Sequence, residues 1–151
     1  MIMIREATAT DHSGILRVAQ NLEGWFDEHA RQIAIPMDIR YQDVFVAVAS
    51  GDVLGFVSLY VADGRLNIGW LGVRRSHHRR GIGSLLLKKV EEHARMMGIP
   101  ELAVMTLGDS VDYAPYEQTR SFYKKQGFVE RQRNKTDNPG CPEELRLVRR
   151  L

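Results

Sequence analysis

The sequence predicts an α/β (α+β) domain: a mixed, mostly antiparallel central sheet of about seven strands, flanked by about four helices. Three observations lead there. Apolar, β-rich runs between residues 44 and 73 are separated by short Gly-containing turns, which favour antiparallel pairing. From residue 83 onward, helical and extended patterns alternate. The length of 151 residues suits one domain spanning 1–151.

Each element has its own signal. Met1 to Ala7 read as a short strand with Ile2 and Ile4 on one face. Thr10-Asp11 can cap the free amides of a helix whose apolar stripe is Ile15, Leu16, Val18, Ala19 and Leu22. Glu23 to Gln42 reads as an irregular helix interrupted at Pro36, with Trp25 and Phe26 packed. Val44–Ala49 is a strand buried on both faces, and Ser50-Gly51-Asp52 turns into the strand Val53–Tyr60. Asp63-Gly64 turns again into Arg65–Val73, completing a meander. Gly83 to Met97 is a helix with Leu86, Val90, Ala94 and Met97 on one face, stopped by Gly98 and Pro100. Leu102–Leu107 is a strand, Tyr116–Gln126 a helix ending at Gly127, and Phe128–Arg133 and Leu145–Leu151 the last two strands.

Composition narrows the function classes. Hydrophobic residues are 44% and charged residues 26%, as in ordinary globular proteins. The longest apolar run, Val44 to Ala49, is far short of the ~20 residues that span a bilayer. Arg5 and Glu6 interrupt the N-terminus before a secretory apolar core forms. A net charge of +2 argues against a nucleic-acid partner. The lone Cys141 cannot form an intrachain disulfide, so a reduced, cytoplasmic setting is expected.

The most informative segment is Arg74-Arg75-Ser76-His77-His78-Arg79-Arg80-Gly81-Ile82-Gly83-Ser84, which leaves a strand and enters a helix. Gly81 and Gly83 let the backbone turn and approach a ligand, and a helix N-terminus offers unpaired amides that suit phosphate. A P-loop signature is absent, and Leu86 occupies the third glycine position of a dinucleotide fingerprint. A glycine turn capping an ordinary helix, with solvated arginines, explains the same residues. Few aromatic residues interleave with the bases, unlike a single-strand binding surface.

The segment His78-Arg79-Arg80-Gly81-Ile82-Gly83 resembles the pyrophosphate loop [Q/R]-x-x-G-x-[G/A] of the GCN5-related N-acetyltransferase (GNAT) family, with His78 in place of Gln or Arg. Tyr116-Glu117-Gln118-Thr119-Arg120-Ser121-Phe122-Tyr123-Lys124-Lys125-Gln126-Gly127-Phe128 is similar to the family's later motif N-x-x-A-x-x-F-Y-x-x-x-G-F. The F-Y-x-x-x-G-F part matches fully, whereas Tyr116 and Thr119 replace the usual Asn and Ala. Tyr116, Thr119 and Tyr123 share one helical stripe, with Phe122 beside it and pointing to the core.

The resemblance implies a GNAT-type fold and acetyl transfer from acetyl-CoA to an amine by direct attack, with no metal. His78, Arg79, Arg80, Gly81, Ile82, Gly83 and Ser84 would hold the pyrophosphate. Leu71, Gly72 and Val73 would pair with the pantetheine arm and donate a backbone N–H to the thioester oxyanion. Tyr116 and Thr119 would contact the cofactor, and Tyr123 would face the departing thiolate as acid or hydrogen-bond donor. His77 and His78 lack the spacing of a zinc site. Cys141 has no evident neighbouring base, which argues against a covalent cysteine route.

The base that deprotonates the amine is unassigned; Glu23, Asp27 and His29 lie in the region that lines the acceptor site in the family. The acceptor is a small-molecule or protein amine. Candidate acceptor stretches are Glu23–Gln42 and the loop Gly108–Pro115 with Asp109, Asp112 and Tyr113. Asn138 to Pro142 links the last strands and is expected at the active site or at a homodimer contact. The rival function is a non-catalytic acyl-CoA-binding sensor, which keeps the loop and does not need Tyr123.

Overall fold

The computed structural model describes residues 1–110 and 112–151. Its strands are β1 (Met3–Glu6), β2 (Asp43–Ala49), β3 (Asp52–Ala62), β4 (Arg65–Val73), β5 (Glu101–Leu107), β6 (Val129–Lys135) and β7 (Glu143–Arg150). They form one seven-stranded sheet in the order β1-β2-β3-β4-β5-β7-β6. Neighbours are antiparallel except β4 and β5, which run parallel. The helices are α1 (His12–Gln20), α2 (Ile35–Tyr41), α3 (Ile82–Met97) and α4 (Ala114–Lys125).

Local chemistry accounts for the connections. Ser50-Gly51 and Asp63-Gly64 all have positive φ, the conformation of tight turns whose twist matches paired strands. The parallel β4–β5 pair needs a crossover, which α3 supplies before it stops at Gly98. Pro36 does not interrupt a helix, as the sequence suggested; it stands in the first turn of α2. Because Pro36 has no amide proton, the backbone just before it widens into a π-helical turn, Ala30–Ala34, where the Ile35 amide reaches back to the Ala30 carbonyl.

Two apolar cores lie on opposite sheet faces. α3 and α4 cover one, packing Leu86, Val90 and Tyr123 against Leu59, Leu102 and Leu147. α1 and α2 cover the other, packing Ile15, Val18 and Ile39 against Val46 and Phe56. Met97, predicted on the core face, is instead 45% exposed in the last turn of α3. Phe122 and Tyr123 both pack on the core covered by α3 and α4. Tyr123 is buried at 4% exposure, whereas Phe122 is half-buried over the start of α3.

The feature that positions the site is a break in the sheet. β4 and β5 pair only across Leu66–Ile68 and Leu102–Val104. Just beyond, Gly69 is an extra residue in β4, since Ile68 faces Leu59 and Trp70 faces Ser58. The Ser58 hydroxyl accepts the Trp70 amide at 2.9 Å and holds this bulge. A Cβ on Gly69 would meet Gln42 Oε1 and stand 2.9 Å from Ser58 Oγ, so a larger residue would displace the Gln42 side chain and crowd the hydroxyl that holds the bulge. Past the bulge, β4 splays away from β5 and leaves a gap through the sheet.

Candidate active site

The gap opens into a cleft of about 1020 Å³. It passes from the α3/α4 face, where Thr106 and Tyr123 line it, to the opposite face, where Trp70 and Met105 line it.

The glycine loop forms one end. After Val73 a short 3-10 turn, Arg75–His77, leads to Arg79 at φ 63 and Gly81 at φ 80. Gly81 caps α3 with no side-chain hydrogen bond, and nothing lies within 4 Å of where its Cβ would stand. Among the described residues, no loop or turn carbonyl accepts an amide from Arg79 through Ser84, and the first amides of α3 have no helical partner. The result is a run of free N–H groups at a positive helix end, which suits a pyrophosphate. Gly83 is required for another reason: a Cβ there would stand 3.0 Å from Phe122 Cζ, so α3 meets α4 at this point. Gln126 Nε2 donates to Ser84 Oγ at 2.8 Å and ties the same junction.

His78, expected to contact the cofactor, is engaged within the loop. Its Nε2 donates to the Val73 carbonyl at 2.5 Å, and its ring meets Trp25 edge-on at 5.3 Å. Arg79, Gly81, Ile82, Gly83 and Ser84 line the cleft, and Arg80 is exposed outside its lining.

The β4 edge forms the middle. The Arg74 amide donates to Leu54, and Leu54 is the next residue opposite it in register. Antiparallel alternation then turns the N–H and C=O groups of Leu71 and Val73 away from β3, into the gap. The Val73 carbonyl is used by His78. Both groups of Leu71 and the Val73 amide remain for a strand-like partner. Gly72 faces the other way, where a Cβ would stand 2.9 Å from Leu22 Cδ1.

Tyr123 lies across the gap on α4, stacked edge-on with Phe122 at 5.2 Å and Phe128 at 5.3 Å. Among the described residues its hydroxyl has no hydrogen-bond partner, although the side chain lines the cleft. Burial pushes its phenol above the ordinary tyrosine range, so it stays protonated at neutral pH. Thr119 lines the cleft but gives its hydroxyl proton to the Pro115 carbonyl at 3.1 Å. Tyr116 also lines the cleft, and its hydroxyl donates to the Trp25 carbonyl at 3.2 Å. Burial, and then the nearby Tyr113, raise its phenol. With Tyr113, which donates to the Gly24 carbonyl at 2.7 Å, it clasps the Trp25 segment over the cleft.

The far end is built from the segments suspected of holding the acceptor. Asp27 and His29 line it, whereas Glu23 is paired with Arg75 at 2.8 Å outside the lining. In the Gly108–Pro115 loop, Asp109 is paired with Arg133, Asp112 is exposed, and Val111 lies outside the described residues. The β6–β7 loop reaches the cleft with Asn138, Gly140 and Cys141. It is held by Thr136, whose amide donates to Pro142 at 2.9 Å and whose hydroxyl donates to Cys141. Cys141 is half-buried; burial, and then the Glu144 carboxylate, push its thiol up. Sequence reasoning missed Glu144, which lines the cleft from β7. In the alternating pattern of that strand it is indistinguishable from a solvated charge.

A seven-stranded sheet splayed between parallel β4 and β5, with a free amide run at the start of the crossover helix, is the GNAT-type fold. The chain belongs to the GNAT acetyltransferase family: residues 40–130 match the family model described as an acetyltransferase (GNAT) domain. A curated relative, an amino-acid acetyltransferase of Pseudomonas putida, is 26% identical over 131 residues, covering 84% of this chain and 27% of that protein. The chain thus spans about a quarter of that relative's length.

Solved structures share the fold. A GNAT-family protein from Desulfovibrio desulfuricans superposes with a TM-score of 0.85 at 19% identity, covering 99% of both chains. A GNAT acetyltransferase from Elizabethkingia anophelis, solved with acetyl-CoA bound, has a TM-score of 0.75 at 21% identity, covering 99% of this chain and 98% of that one.

Proposed function

We propose that the protein is an N-acetyltransferase that moves an acetyl group from acetyl-CoA to a primary amine by direct attack. The observation that carries this is the continuity of three features along one cleft: the free amides of Arg79 to Ser84, the unpaired β4 edge at Leu71 and Val73, and the unpartnered hydroxyl of Tyr123.

These residues fit acetyl-CoA, which supplies an activated thioester. The amides from Arg79 to Ser84 hold the pyrophosphate, with Gly81 leaving room for its close approach. Leu71 and Val73 hold the pantetheine arm as a neighbouring strand would, and the Leu71 amide points at charge that develops on the thioester oxygen. Tyr123 donates a hydrogen bond to the sulfur. Full proton transfer from an ordinary phenol to a thiolate is uphill by about 2 kcal/mol, and burial raises that cost, so Tyr123 stabilises the leaving thiolate by hydrogen bonding. Cys141 is no nucleophile in this scheme, because burial and Glu144 disfavour its thiolate.

The test is continuous detection of free thiol from acetyl-CoA in the presence of an amine panel. Amine-dependent release supports the proposal. Acetyl-CoA binding with no amine-dependent release favours the acyl-CoA-binding sensor.

A further inference from the structure

We propose that the acceptor is a cationic amine with no carboxylate beside its amino group, and that Glu144 is the side chain that receives it. The inference rests on the acetyl-transfer reading and narrows its substrate class.

Charge is divided along the cleft. Of its lysine and arginine side chains, Arg79 belongs to the glycine loop, and Lys125 precedes Gln126, which is bonded to Ser84. Both cations therefore stand at the cofactor end. At the far end the charged groups are carboxylates, Asp27 and Glu144, and His29 lines the same end.

Glu144 rises from β7 opposite Leu107, on the sheet face away from α3 and α4. Its neighbour Glu143 points the other way and is bound by Arg133 at 2.9 Å. Among the described residues Glu144 itself has no hydrogen bond and no ion pair, although it is half-buried in the cleft wall. A carboxylate in that position gains from an incoming ammonium. Asp27 faces the same space from the Trp25 segment. Its Oδ1 accepts the Ala30 amide at 2.8 Å, and Oδ2 stands 3.4 Å from the Cβ position of Gly140.

The remaining walls are Phe26 and Trp70, whose rings meet edge-on at 5.5 Å, and Met105. Aromatic faces beside carboxylates attract organic cations. An amino acid would bring its own carboxylate beside Glu144 and Asp27, where like charges repel, and it would want an arginine fork. Among the described residues no arginine lines this end of the cleft. Arg31 is committed to the Phe26 carbonyl and Gln20, Arg75 to Glu23, and Arg146, two residues beyond Glu144 on the same strand face, lies outside the lining.

The test compares acceptors that differ only by the carboxylate, tyramine against tyrosine and phenethylamine against phenylalanine, by thiol release at saturating acetyl-CoA. The decarboxylated member of at least one pair should lead in kcat/KM by about 10- to 100-fold, the range for one hydrogen bond to a charged group. Glu144→Gln should lose most of that lead through KM for the amine, with KM for acetyl-CoA unchanged. Glu144→Lys should move the preference toward the amino acid. Equal or better use of the amino acids overturns the inference, as does acetyl-CoA binding without turnover of either amine at millimolar concentration. The full amine panel on the same samples separates the two levels: if no amine in it elicits thiol release, the transferase reading has failed, and the acceptor assignment with it, whereas release confined to other amines overturns the assignment alone.

Discussion

Replacing Tyr123 by Phe removes one atom that faces the cleft, so catalysis should respond far more than stability. The hydroxyl belongs to a residue only 4% exposed and has no protein partner among the described residues. The oxygen itself is not among the fully buried unpartnered atoms, so water in the open cleft solvates it and its removal changes stability little. In a chain of this length 1 kcal/mol moves the melting temperature by about 2–4 °C, and a shift smaller than that is expected. The Phe122 and Phe128 contacts are ring contacts and survive the change.

Turnover should behave differently. A hydrogen bond to a developing thiolate is worth about 1.5–3 kcal/mol, which corresponds to a loss of roughly 10- to 150-fold in kcat. Acetyl-CoA affinity should hold within about twofold, because the amides at Arg79 to Ser84 are untouched. Thiol-release kinetics, calorimetry and a thermal melt on the same preparation read the three quantities. Unchanged kcat would refute the role given to the hydroxyl. A fall in kcat together with a melting temperature lowered by more than about 2–4 °C would refute the claim that the hydroxyl is unpartnered within the fold.

Further expectations separate the two loop glycines and locate an acid-sensitive contact. Gly81→Val forces a β-branched residue to φ 80 in open space, whereas Gly83→Val drives its side chain into Phe122. The first should abolish acetyl-CoA binding in calorimetry with a stability cost of about 1–2 kcal/mol. The second should cost about 1–3 kcal/mol by overpacking and lower the denaturation midpoint.

Asp11 accepts two hydrogen bonds from Arg5, at 2.7 and 2.9 Å, and its carboxyl is held at about 2. A lowered carboxyl pKa means that its stabilisation is complete above the unfolded value near 3.8 and is lost as pH falls toward 2. Because Arg5 is 40% exposed, solvent screening reduces the contribution to about 1 kcal/mol. Asp11→Asn should lower the melting temperature at pH 7 and leave it nearly unchanged at pH 2; equal losses at both pH values would contradict the assignment.

Much of the fold was legible because its signals are local. Ser50-Gly51 and Asp63-Gly64 carry their own turn geometry, and the spacing of Leu86, Val90 and Ala94 requires one buried helical face whatever the partner. The glycine loop was legible for the same reason, since Gly81 answers to its own backbone angle.

What escaped depends on contacts between distant elements. The bulge at Gly69 is set by Gln42 and Ser58, and Gly83 by Phe122 on a different helix. How deeply Phe122 and Tyr123 each enter the core turns on how α4 is rotated against the sheet, and two adjacent aromatics do not encode that rotation. Pro36 was misjudged because a proline that would break a regular turn can begin a helix after a widened one. Glu144 was invisible because its place in the cleft lining, not sequence pattern, distinguishes it from the equally half-buried Arg146 two residues away.

The central claim is that the glycine loop and the β4 edge form an acyl-CoA site. Calorimetric titration of the purified protein with acetyl-CoA, CoA and ATP tests it most directly. The account predicts micromolar binding of both CoA species and at least tenfold weaker binding of ATP, which cannot use the β4 edge at Leu71 and Val73. Absence of binding by either CoA species, or ATP binding as tight as theirs, would contradict it.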